Sequence, residues 1–403
     1  MNVLMVNKFY YLKGGAERYF FNLIKLLEES GHKIIPMAMK HEENFKTEYD
    51  KYFVSEIVTR PNWNIFKNLK TVGRFWWSRE ARRKIKKLIS EEKIDIVHIH
   101  NIYHQISPSI LPVLKKAGIP IVMTVHDYAL ISTANYNLYK FKKMNKKIVQ
   151  RLICGIERFL HHNILNIYRK NIDVFIAPSE FVKNKLIEAG YDKKKIKIIP
   201  HFIQENQGSK CQESKIKIKE KYILYFGRLS EEKGVGVLLK AMAKLPEIKL
   251  KIVGDGPEKK KLEIRNKKLG NKNVKFLEQK NKDELNNLII NSECVVVPSL
   301  APETFGLTVL ETLVLGKCVV ASKIGALPEL LASLSMSRSG AEKEFLFEPG
   351  NVDALAEKIK MLTKGEKCVT IKDQKSREKW LEKYGKKAHY SAILAIYKEL
   401  LAK

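Results

Sequence analysis

Hydrophobic residues occur along the chain in short runs rich in β-branched side chains, and most runs have few polar interruptions. Such runs are typical of strands that are buried on both faces of a parallel sheet. The runs that we interpret as strands are Met1–Asn7, Asp95–His100, Ile119–Val125, Val174–Pro178, Ile196–Pro200, Tyr222–Phe226, Lys249–Val253, Val274–Leu277, Cys294–Pro298 and Cys318–Ala321.

Segments with a helical pattern lie between these runs, for example at Glu17–Ser30 and Val235–Ala243. Alternation of strands and helices predicts βαβ units and parallel sheets. The alternation stops once, at Gln204–Lys219, a polar stretch with Gly and Ser that we interpret as a linker.

We therefore predict an α/β fold with two doubly wound domains that face each other across a cleft. The N-terminal Rossmann-like domain covers residues 1–203, the linker 204–220, and the C-terminal Rossmann-like domain 221–385. A final helix at 386–403 is expected to cross back to the first domain. In folds of this class, ligands bind beyond the carboxyl ends of the strands, so candidate chemistry is expected there.

Composition supports a globular protein, with 45% hydrophobic and 29% charged residues among 403. No apolar run reaches the roughly 18 residues of a spanning helix. The N-terminus lacks the basic leader and cleavage site of a secretory signal. The five cysteines are scattered without a C-x-x-C pair, which disfavours a zinc ribbon and a disulfide scaffold. We expect a cytoplasmic protein.

Lys and Arg exceed Asp and Glu by 74 − 44 = 30. Such an excess favours an acidic partner, namely nucleic acid, an anionic membrane or a phosphorylated substrate. The alternative is that the lysines have no specific partner and only keep the protein surface hydrated. Composition does not decide between them.

One basic segment, Lys140–Lys170, interleaves Lys, Arg and His with aromatic and aliphatic side chains. This pattern predicts a surface that touches anionic lipid, and so a peripheral position on the inner face of the plasma membrane. The alternative is an ordinary amphipathic helix with a solvated basic face. No nucleic-acid module is recognisable, so no nucleic-acid partner is expected.

Two turns that follow predicted strands carry residues suited to anions. The first contains Gly14 and Gly15 before a helix, where backbone N–H groups can approach a phosphate. The second, YFGRLSEEKG, carries Arg228 and Lys233, whose side chains suit phosphate oxygens. Gly-Gly turns and solvated basic turns are both common in proteins. A purely structural role therefore stays open for each of these two turns.

The segment Pro298–Gly316, PSLAPETFGLTVLETLVLG, is more specific because it places a loop with Glu303 after a strand and opens an apolar helix at Gly306. Helical rise would place Glu303 and Glu311 about 12 Å apart, suitable for bracketing an extended polyhydroxyl ligand. The free N–H groups of Gly306, Leu307 and Thr308 would face a diphosphate. Two glutamates at this interval also occur by chance.

Taken together, these motifs resemble the family 4 glycosyltransferases, which are retaining enzymes of the GT-B fold with two Rossmann-like domains. The resemblance covers nearly the whole chain. The motifs that carry it are GGAE at Gly14–Glu17, HDY at His126–Tyr128, GRLSEEKG at Gly227–Gly234, VGDGP at Val253–Pro257 and PETFGLTVLE at Pro302–Glu311.

The resemblance implies a nucleotide-sugar donor. Arg228 and Lys233 would neutralise its diphosphate, Glu303 would bind hydroxyls of the donor sugar, and Glu311 would bind the ribose. The donor-binding residues implied in this way are Gly14, Gly15, Arg228, Lys233, Glu303, Phe305, Gly306, Leu307, Thr308 and Glu311.

The implied catalytic residues are His126, near the reacting centre, and Glu303. The resemblance further implies attack from the face of the leaving group, with the diphosphate accepting the proton of the acceptor. His126 and Asp127 would position and stabilise rather than form a covalent intermediate.

Three histidines are candidate metal ligands. His98, His100 and His104 are close in sequence, but no Cys or carboxylate cluster joins them, so a structural or acceptor-binding role is favoured. No D-x-D pair occurs in the chain, and Mg²⁺ on the donor would have no evident ligand. We therefore predict neither a metal nor a cofactor.

In the segments expected to lie near the acceptor, the chain differs from similar sequences. His201 stands where many relatives have Asn-Gly, and the stretch after HDY lacks their Cys and Pro. The favoured donor is a UDP-sugar, with a GDP-sugar as the second choice. The expected acceptor is a saccharide or lipid-linked saccharide in surface polysaccharide biosynthesis. The alternatives are a non-catalytic GT-B protein that binds an anionic polymer or lipid, and a phosphorylase-like or epimerase-like enzyme.

Overall fold

The computed structural model describes residues 1–57, 73–74, 77–103, 105–131, 166–203, 220–332, 345–364 and 374–403. It divides into two compact units, one formed by Met1–Ile199 with His389–Lys403 and the other by Pro200–Ala388. His104, the predicted linker up to residue 219, and residues 140–165 of the basic segment lie outside the described residues.

The first unit contains a parallel sheet with the strand order β2-β1-β3-β4-β5-β6. Its strands are β1 (Asn2–Val6), β2 (Lys33–Met37), β3 (Ile96–Ile99), β4 (Ile121–Thr124), β5 (Val174–Ala177) and β6 (Ile196–Ile198). The intervening α-helices are α1 (Gly15–Glu29), α2 (Arg79–Glu91), α3 (Leu111–Lys116), α4 (Ile167–Asn171) and α5 (Glu180–Glu188).

The second unit contains a parallel sheet with the strand order β12-β11-β10-β7-β8-β9. Its strands are β7 (Ile223–Phe226), β8 (Leu250–Val253), β9 (Val274–Leu277), β10 (Cys294–Val297), β11 (Cys318–Ser322) and β12 (Leu346–Phe347). Its α-helices are α6 (Val235–Met242), α7 (Lys259–Lys268), α8 (Lys282–Asn291), α9 (Leu307–Val314), α10 (Leu327–Ala332), α11 (Val352–Thr363) and α12 (Gln374–Tyr384). The last helix, α13 (Lys386–Leu401), belongs to the first unit from His389 onward.

The central strands are buried throughout because helices cover both faces of each sheet. All residues of β3, β4, β5, β7 and β10 are buried. Helix α1 is amphipathic and buries Phe20, Leu23 and Leu27 on the face that packs on the sheet. The two parallel sheets confirm the predicted α/β fold with two doubly wound domains.

Each sheet has a point where the strand order reverses direction. In the first unit it lies between β1 and β3, and in the second between β7 and β10. Chain connections leave such a point toward opposite sides, which opens a crevice at the carboxyl ends of the two strands. The candidate residues below follow these strands or a neighbouring one.

The helices can be examined for their ability to cross a membrane. None of the helices in the described ranges has the length and apolar character that a bilayer crossing requires.

Cys294 is a buried free thiol, whereas Cys318 is disulfide-bonded. The cysteine spacing disfavoured a disulfide scaffold, but Cys318 is not a free thiol.

Candidate functional site

The loop after β7 is held by close backbone packing on the loop after β8. A Cβ atom on Gly254, where φ is +143°, would lie 2.0 Å from the carbonyl oxygen of Gly227, so only glycine fits there. The backbone N–H of Leu229 donates to the carbonyl of Asp255 at 2.8 Å. Arg228, between these anchors, has an exposed side chain, and its carbonyl accepts the Tyr225 hydroxyl at 3.0 Å.

The same loop also packs on the loop after β10. A Cβ atom on Gly234, where φ is +71°, would lie 1.7 Å from the carbonyl oxygen of Pro298. The N–H of Leu300 donates to the carbonyl of Glu232 at 2.8 Å. These contacts bring Lys233 and Glu303, seventy residues apart in sequence, into one crevice.

Lys233 and Glu303 form an ion pair, with 2.7 Å between Nζ and Oε1. The hydroxyl of Ser299 donates to the same carboxylate oxygen at 2.5 Å. The side chains of Lys233 and Glu303 are 34% and 18% exposed, so the pair is partly desolvated. Burial alone would raise the pKa of Glu303, but the Lys233 ammonium and the hydrogen bonds from Lys233 and Ser299 outweigh it and lower the pKa. Glu303 is therefore a carboxylate at neutral pH.

Helix α9 begins directly after this loop. Its N-cap is Gly306 with φ +100°, and a Cβ atom there would lie 2.6 Å from Cδ2 of Leu327. Leu307 and Thr308 form the first turn and are partly exposed, so backbone N–H groups there can meet an anion. Glu311 is also partly exposed on this helix.

The helical geometry assumed for the predicted spacing of about 12 Å between Glu303 and Glu311 is wrong. Helix α9 begins at Leu307, so Glu303 lies in a loop and helical rise does not apply to the whole interval. Only the part from Leu307 to Glu311 is helical.

Phe305, a predicted donor-binding residue, is 4% exposed. Its ring packs 5.1 Å from the ring of His201 and 6.1 Å from that of Tyr384. The side chain thus belongs to the core of the second unit, and only its backbone can face a ligand. His201, whose role the sequence left open, is buried beside it.

Gly325 supports the backbone of Glu303, which yields a test of how tightly that residue must be held. A Cβ atom on Gly325, where φ is +63°, would lie 2.4 Å from the nitrogen and 2.5 Å from the oxygen of Glu303. We expect Gly325→Ala to displace Glu303 and to reduce both the activity that depends on this carboxylate and stability in urea unfolding.

Gly270→Ala is the matched control for this variant. Gly270 has φ +70° with nothing within 4 Å of its would-be Cβ atom, so alanine there meets only the left-handed backbone cost of about 1–2 kcal/mol. Equal losses in the two variants would show that the contact with Glu303 is unimportant.

In the first unit, the turn after β1 leads into α1. Gly14 is the N-cap of this helix in an extended conformation (φ −170°), and both Gly14 and Gly15 are exposed. The amino end of a 15-residue helix is thus accessible beside the reversal point. Glu17, in the first turn, is buried.

His126 follows β4 and is half-buried. Its Nε2 atom lies 2.8 Å from Nδ1 of His100, which follows β3. Burial, and after it the charge of Lys8, lowers the pKa of His126 to about 3. The ring is therefore neutral at physiological pH.

His98 and His100 were considered as metal ligands. Both nitrogens of His98 have protein partners, because Nδ1 lies 2.6 Å from the Tyr397 hydroxyl and Nε2 lies 2.7 Å from Oγ1 of Thr124. Among the described residues, no group of three or more His, Cys, Asp and Glu side chains is arranged to hold a metal ion. Of the two roles that the sequence left open for these histidines, structural or acceptor-binding, the contacts of His98 agree with the structural one.

Sequence reasoning missed two residues that the structure places beside the candidates, because Ser299 bonds Glu303 and Lys8 lies near His126. It named His100 but did not foresee that this residue bonds His126 directly. Each of the three lies one or two residues beyond the end of a strand, so position at the carboxyl end of a strand was the available signal.

Comparison with protein families gives matches over most of the chain. Residues 13–207 match the family described as Glycosyltransferase Family 4, and residues 207–388 match that described as Glycosyl transferases group 1. These are the two halves in which the motifs above lie.

Two individual relatives match most of this chain at low sequence identity. The sulfoquinovosyl transferase of Arabidopsis thaliana is 28% identical over 73% of this chain, which spans only 55% of that protein's length. The phosphatidyl-myo-inositol mannosyltransferase of Mycolicibacterium smegmatis is 26% identical over 79% of this chain and 75% of that protein.

Among solved structures, the Anabaena protein HepE in complex with UDP-glucose has a TM-score of 0.68 and 20% identity, covering 99% of this chain and 100% of that one. This likeness confirms the predicted GT-B fold.

Proposed function

The chain belongs to the family 4 glycosyltransferases, and on that premise we propose that it transfers a hexose from a nucleotide sugar to a saccharide or lipid-linked acceptor, with retention at the anomeric carbon. The observation that carries this proposal is the ion pair of Lys233 and Glu303, held between the reversal point of the second sheet and the amino end of α9. It combines a cation for a diphosphate with a carboxylate for sugar hydroxyls.

In the proposed reaction, the bond between the anomeric carbon and the diphosphate oxygen breaks, and negative charge develops on the diphosphate. Lys233, Arg228 and the first-turn N–H groups of α9 stabilise this charge, because donors and cations held by the fold can meet charge as it develops. Glu303 accepts hydrogen bonds from the donor sugar while retaining its contact with Lys233.

The acceptor hydroxyl attacks on the face that the diphosphate leaves. Its oxygen bonds to the anomeric carbon, and its proton passes to a diphosphate oxygen, so no side chain acts as a nucleophile. His126, neutral at physiological pH, contacts the sugar near the reacting carbon. Gly14 and Gly15 offer backbone N–H groups to the donor phosphate.

A UDP-sugar is the favoured donor. The solved HepE structure holds UDP-glucose, which supports this choice by analogy of fold. The mycobacterial relative is named for a phosphatidyl-myo-inositol acceptor, which supports a lipid-linked acceptor. Peripheral membrane binding through Lys140–Lys170 stays a prediction from sequence.

A panel of UDP- and GDP-sugars tests the donor by thermal shift and by release of free nucleotide. A donor at 100 times its Kd is expected to add about 2.7 kcal/mol of apparent stability. Binding without transfer or hydrolysis of any donor would favour the alternative of a non-catalytic binding protein. Phosphate-dependent release of sugar phosphate, or epimerised donor, would indicate the other enzyme classes.

We predict that turnover needs no divalent metal, because the chain has no D-x-D pair and Lys233 with Arg228 supplies positive charge. Activity measured after exhaustive chelation should equal that of the untreated enzyme. Loss of turnover that only Mg²⁺ or Mn²⁺ restores would contradict this.

A further inference from the structure

Helix α7 (Lys259–Lys268) of the second unit combines high positive charge with an exposed aliphatic side chain. Its sequence, KKKLEIRNKK, has six basic residues and one acidic residue, so its net charge is 6 − 1 = +5. Near its middle lies Ile264, whose side chain is 55% exposed. Among the described residues of this unit, it is the one large hydrophobic side chain that is exposed. A single exposed hydrophobic side chain is ordinary by itself, so its surroundings decide what it indicates.

Ile264 points away from the core of the unit. Residues two apart on an α-helix differ in direction by about 200°, so they lie on nearly opposite faces. The buried residues of α7 are Leu262 and Asn266, two positions before and two positions after Ile264. Leu262 packs in one hydrophobic cluster with residues of α6, and the side-chain amide of Asn271 donates to Oδ1 of Asn266 at 3.1 Å. Both contacts fix the rotation of α7 about its axis, so Ile264 lies in the middle of the outward face.

Four lysines surround Ile264 on this outward face. The nearest neighbours of a side chain along a helix lie three and four residues away, and for Ile264 all four of these positions are lysine. They are Lys260, Lys261, Lys267 and Lys268, and each is exposed. Lys261 pairs with Glu258 at 2.7 Å, whereas no carboxylate in the described ranges pairs with the other three. We call Ile264 together with these four lysines the α7 face.

This combination favours an anionic lipid surface over other acidic partners. The four charges alone would also suit a nucleic acid or an acidic protein. Ile264 distinguishes the partners, because an aliphatic side chain gains free energy when it leaves water for the boundary between headgroups and acyl chains. The sugar–phosphate backbone of a nucleic acid offers no such environment, and an acidic protein would need a pocket shaped for Ile264. In a bilayer, lysine stems can lie along the apolar boundary while their ammonium groups stay at the headgroup phosphates.

We infer that the α7 face is a contact site for anionic lipid membranes. It lies in the second unit and is separate from the basic segment Lys140–Lys170, for which the sequence predicts membrane contact. The inference does not depend on glycosyl transfer, because lipid binding is measured without donor or acceptor.

The amino end of α7 is attached to the loop that carries Arg228. The N–H of Glu258 donates to the carbonyl of Leu229 at 3.0 Å, and a Cβ atom on Gly256 would lie 2.4 Å from the same carbonyl oxygen. Binding of the α7 face to a membrane would therefore hold this loop close to the lipid surface. The consequence for catalysis, that the diphosphate site lies near a lipid-linked acceptor, rests on the proposed function.

Vesicle co-sedimentation of the whole chain tests the inference. It compares vesicles of phosphatidylcholine alone with vesicles of equal parts phosphatidylcholine and phosphatidylglycerol. The first variant carries Lys260→Gln, Lys261→Gln, Lys267→Gln and Lys268→Gln. Each lysine near an anionic surface strengthens binding about fivefold, so we expect the partition coefficient for the anionic vesicles to fall roughly 600-fold. Wild-type binding should weaken as salt rises, because the attraction is Coulombic.

The matched control removes four charges elsewhere in the same unit. It replaces by Gln four lysines that are exposed on α6, α11 and α12, namely Lys240, Lys360, Lys379 and Lys383. Its net charge equals that of the first variant, so a general effect of charge would lower both partition coefficients equally. We expect the control to keep most of the wild-type binding. Both variants should keep the wild-type Tm, because the substituted side chains are exposed.

Ile264→Ser leaves every charge in place and tests the apolar contribution. We expect it to lower binding to the anionic vesicles about tenfold, the order expected for burial of one aliphatic side chain. Ile264→Leu should retain wild-type binding. Binding of a double-stranded DNA probe should be the same in Ile264→Ser as in the wild type, because phosphates attract only the lysines.

Three outcomes would overturn the inference: no binding of the wild type to anionic vesicles at low salt, equal losses in the lysine variant and its control, or wild-type lipid binding by Ile264→Ser. DNA binding that exceeds lipid binding and is lost in the lysine variant would assign the α7 face to a nucleic acid instead. Vesicle binding as expected without turnover of any donor would refute the proposed function alone, and transfer without a specific effect of the α7 lysines would refute the inference alone.

Discussion

We expect Lys233→Ala to lose about two to three orders of magnitude in kcat/KM, the usual cost of removing one preorganised group that stabilises developing charge. The variant loses the ammonium proposed to meet the leaving diphosphate. It also leaves Glu303, whose side chain is only 18% exposed, without its cation. Both consequences act in the same crevice, so this single change should have one of the largest effects in the chain.

The pH dependence distinguishes this mechanism from general destabilisation. In the wild type, Lys233 and Ser299 hold the pKa of Glu303 below its ordinary value against the opposing effect of burial. Without Lys233, burial dominates and that pKa rises. The acid limb of the pH–rate profile should therefore move toward neutral pH in Lys233→Ala.

Lys240→Ala is the matched control, because Lys240 is exposed on α6 and lies outside the proposed site. It should retain wild-type kinetics. A double-mutant cycle of Lys233→Met and Glu303→Gln should be strongly non-additive, since the residues act as a pair. Additive losses with an unshifted pH profile would contradict a functional ion pair.

Much of the fold could be predicted because the buried strands are almost continuously apolar. Two strands escaped prediction for physical reasons. Strand β2 carries Pro36, which argues against a central strand, but β2 lies at the edge of its sheet where a missing N–H is tolerated. Strand β12 has only two residues, Leu346 and Phe347, too few for a periodic signal.

The sequence singles out individual residues of the candidate site but not their arrangement. Lys233 and Glu303 were each assigned a separate ligand group, whereas the structure pairs them. Their pairing depends on the backbone contact of Gly234 with Pro298, a tertiary fit that no local pattern encodes. The burial of Phe305 likewise depends on packing against His201 and Tyr384, residues distant in sequence.

Substitutions of the two glutamates in the Pro298–Gly316 segment should impair different properties, namely transfer for Glu303 and UDP affinity for Glu311. We expect Glu303→Gln to reduce transfer about 10²–10³-fold while UDP binding largely survives, because the carboxylate is proposed to hold the sugar and to orient Lys233. Glu311→Gln should instead weaken UDP itself, since the change removes a charged hydrogen-bond acceptor proposed for the ribose hydroxyls. Hydrogen bonds to charged groups contribute about 1.5–3 kcal/mol, so the loss in UDP affinity should be about 10- to 100-fold.

Calorimetric titration with UDP and with its 2′-deoxy analogue separates these roles. Wild type and Glu303→Gln should both prefer UDP, whereas Glu311→Gln should prefer it much less, because a neutral amide oxygen is a weaker acceptor for the ribose hydroxyl than a carboxylate. Glu357→Gln, an exposed change on α11, is the control and should match the wild type in affinity and in rate. Should both site variants bind UDP with wild-type affinity and turn over normally, the assignment of Glu303 to the sugar and Glu311 to the ribose would have to be abandoned.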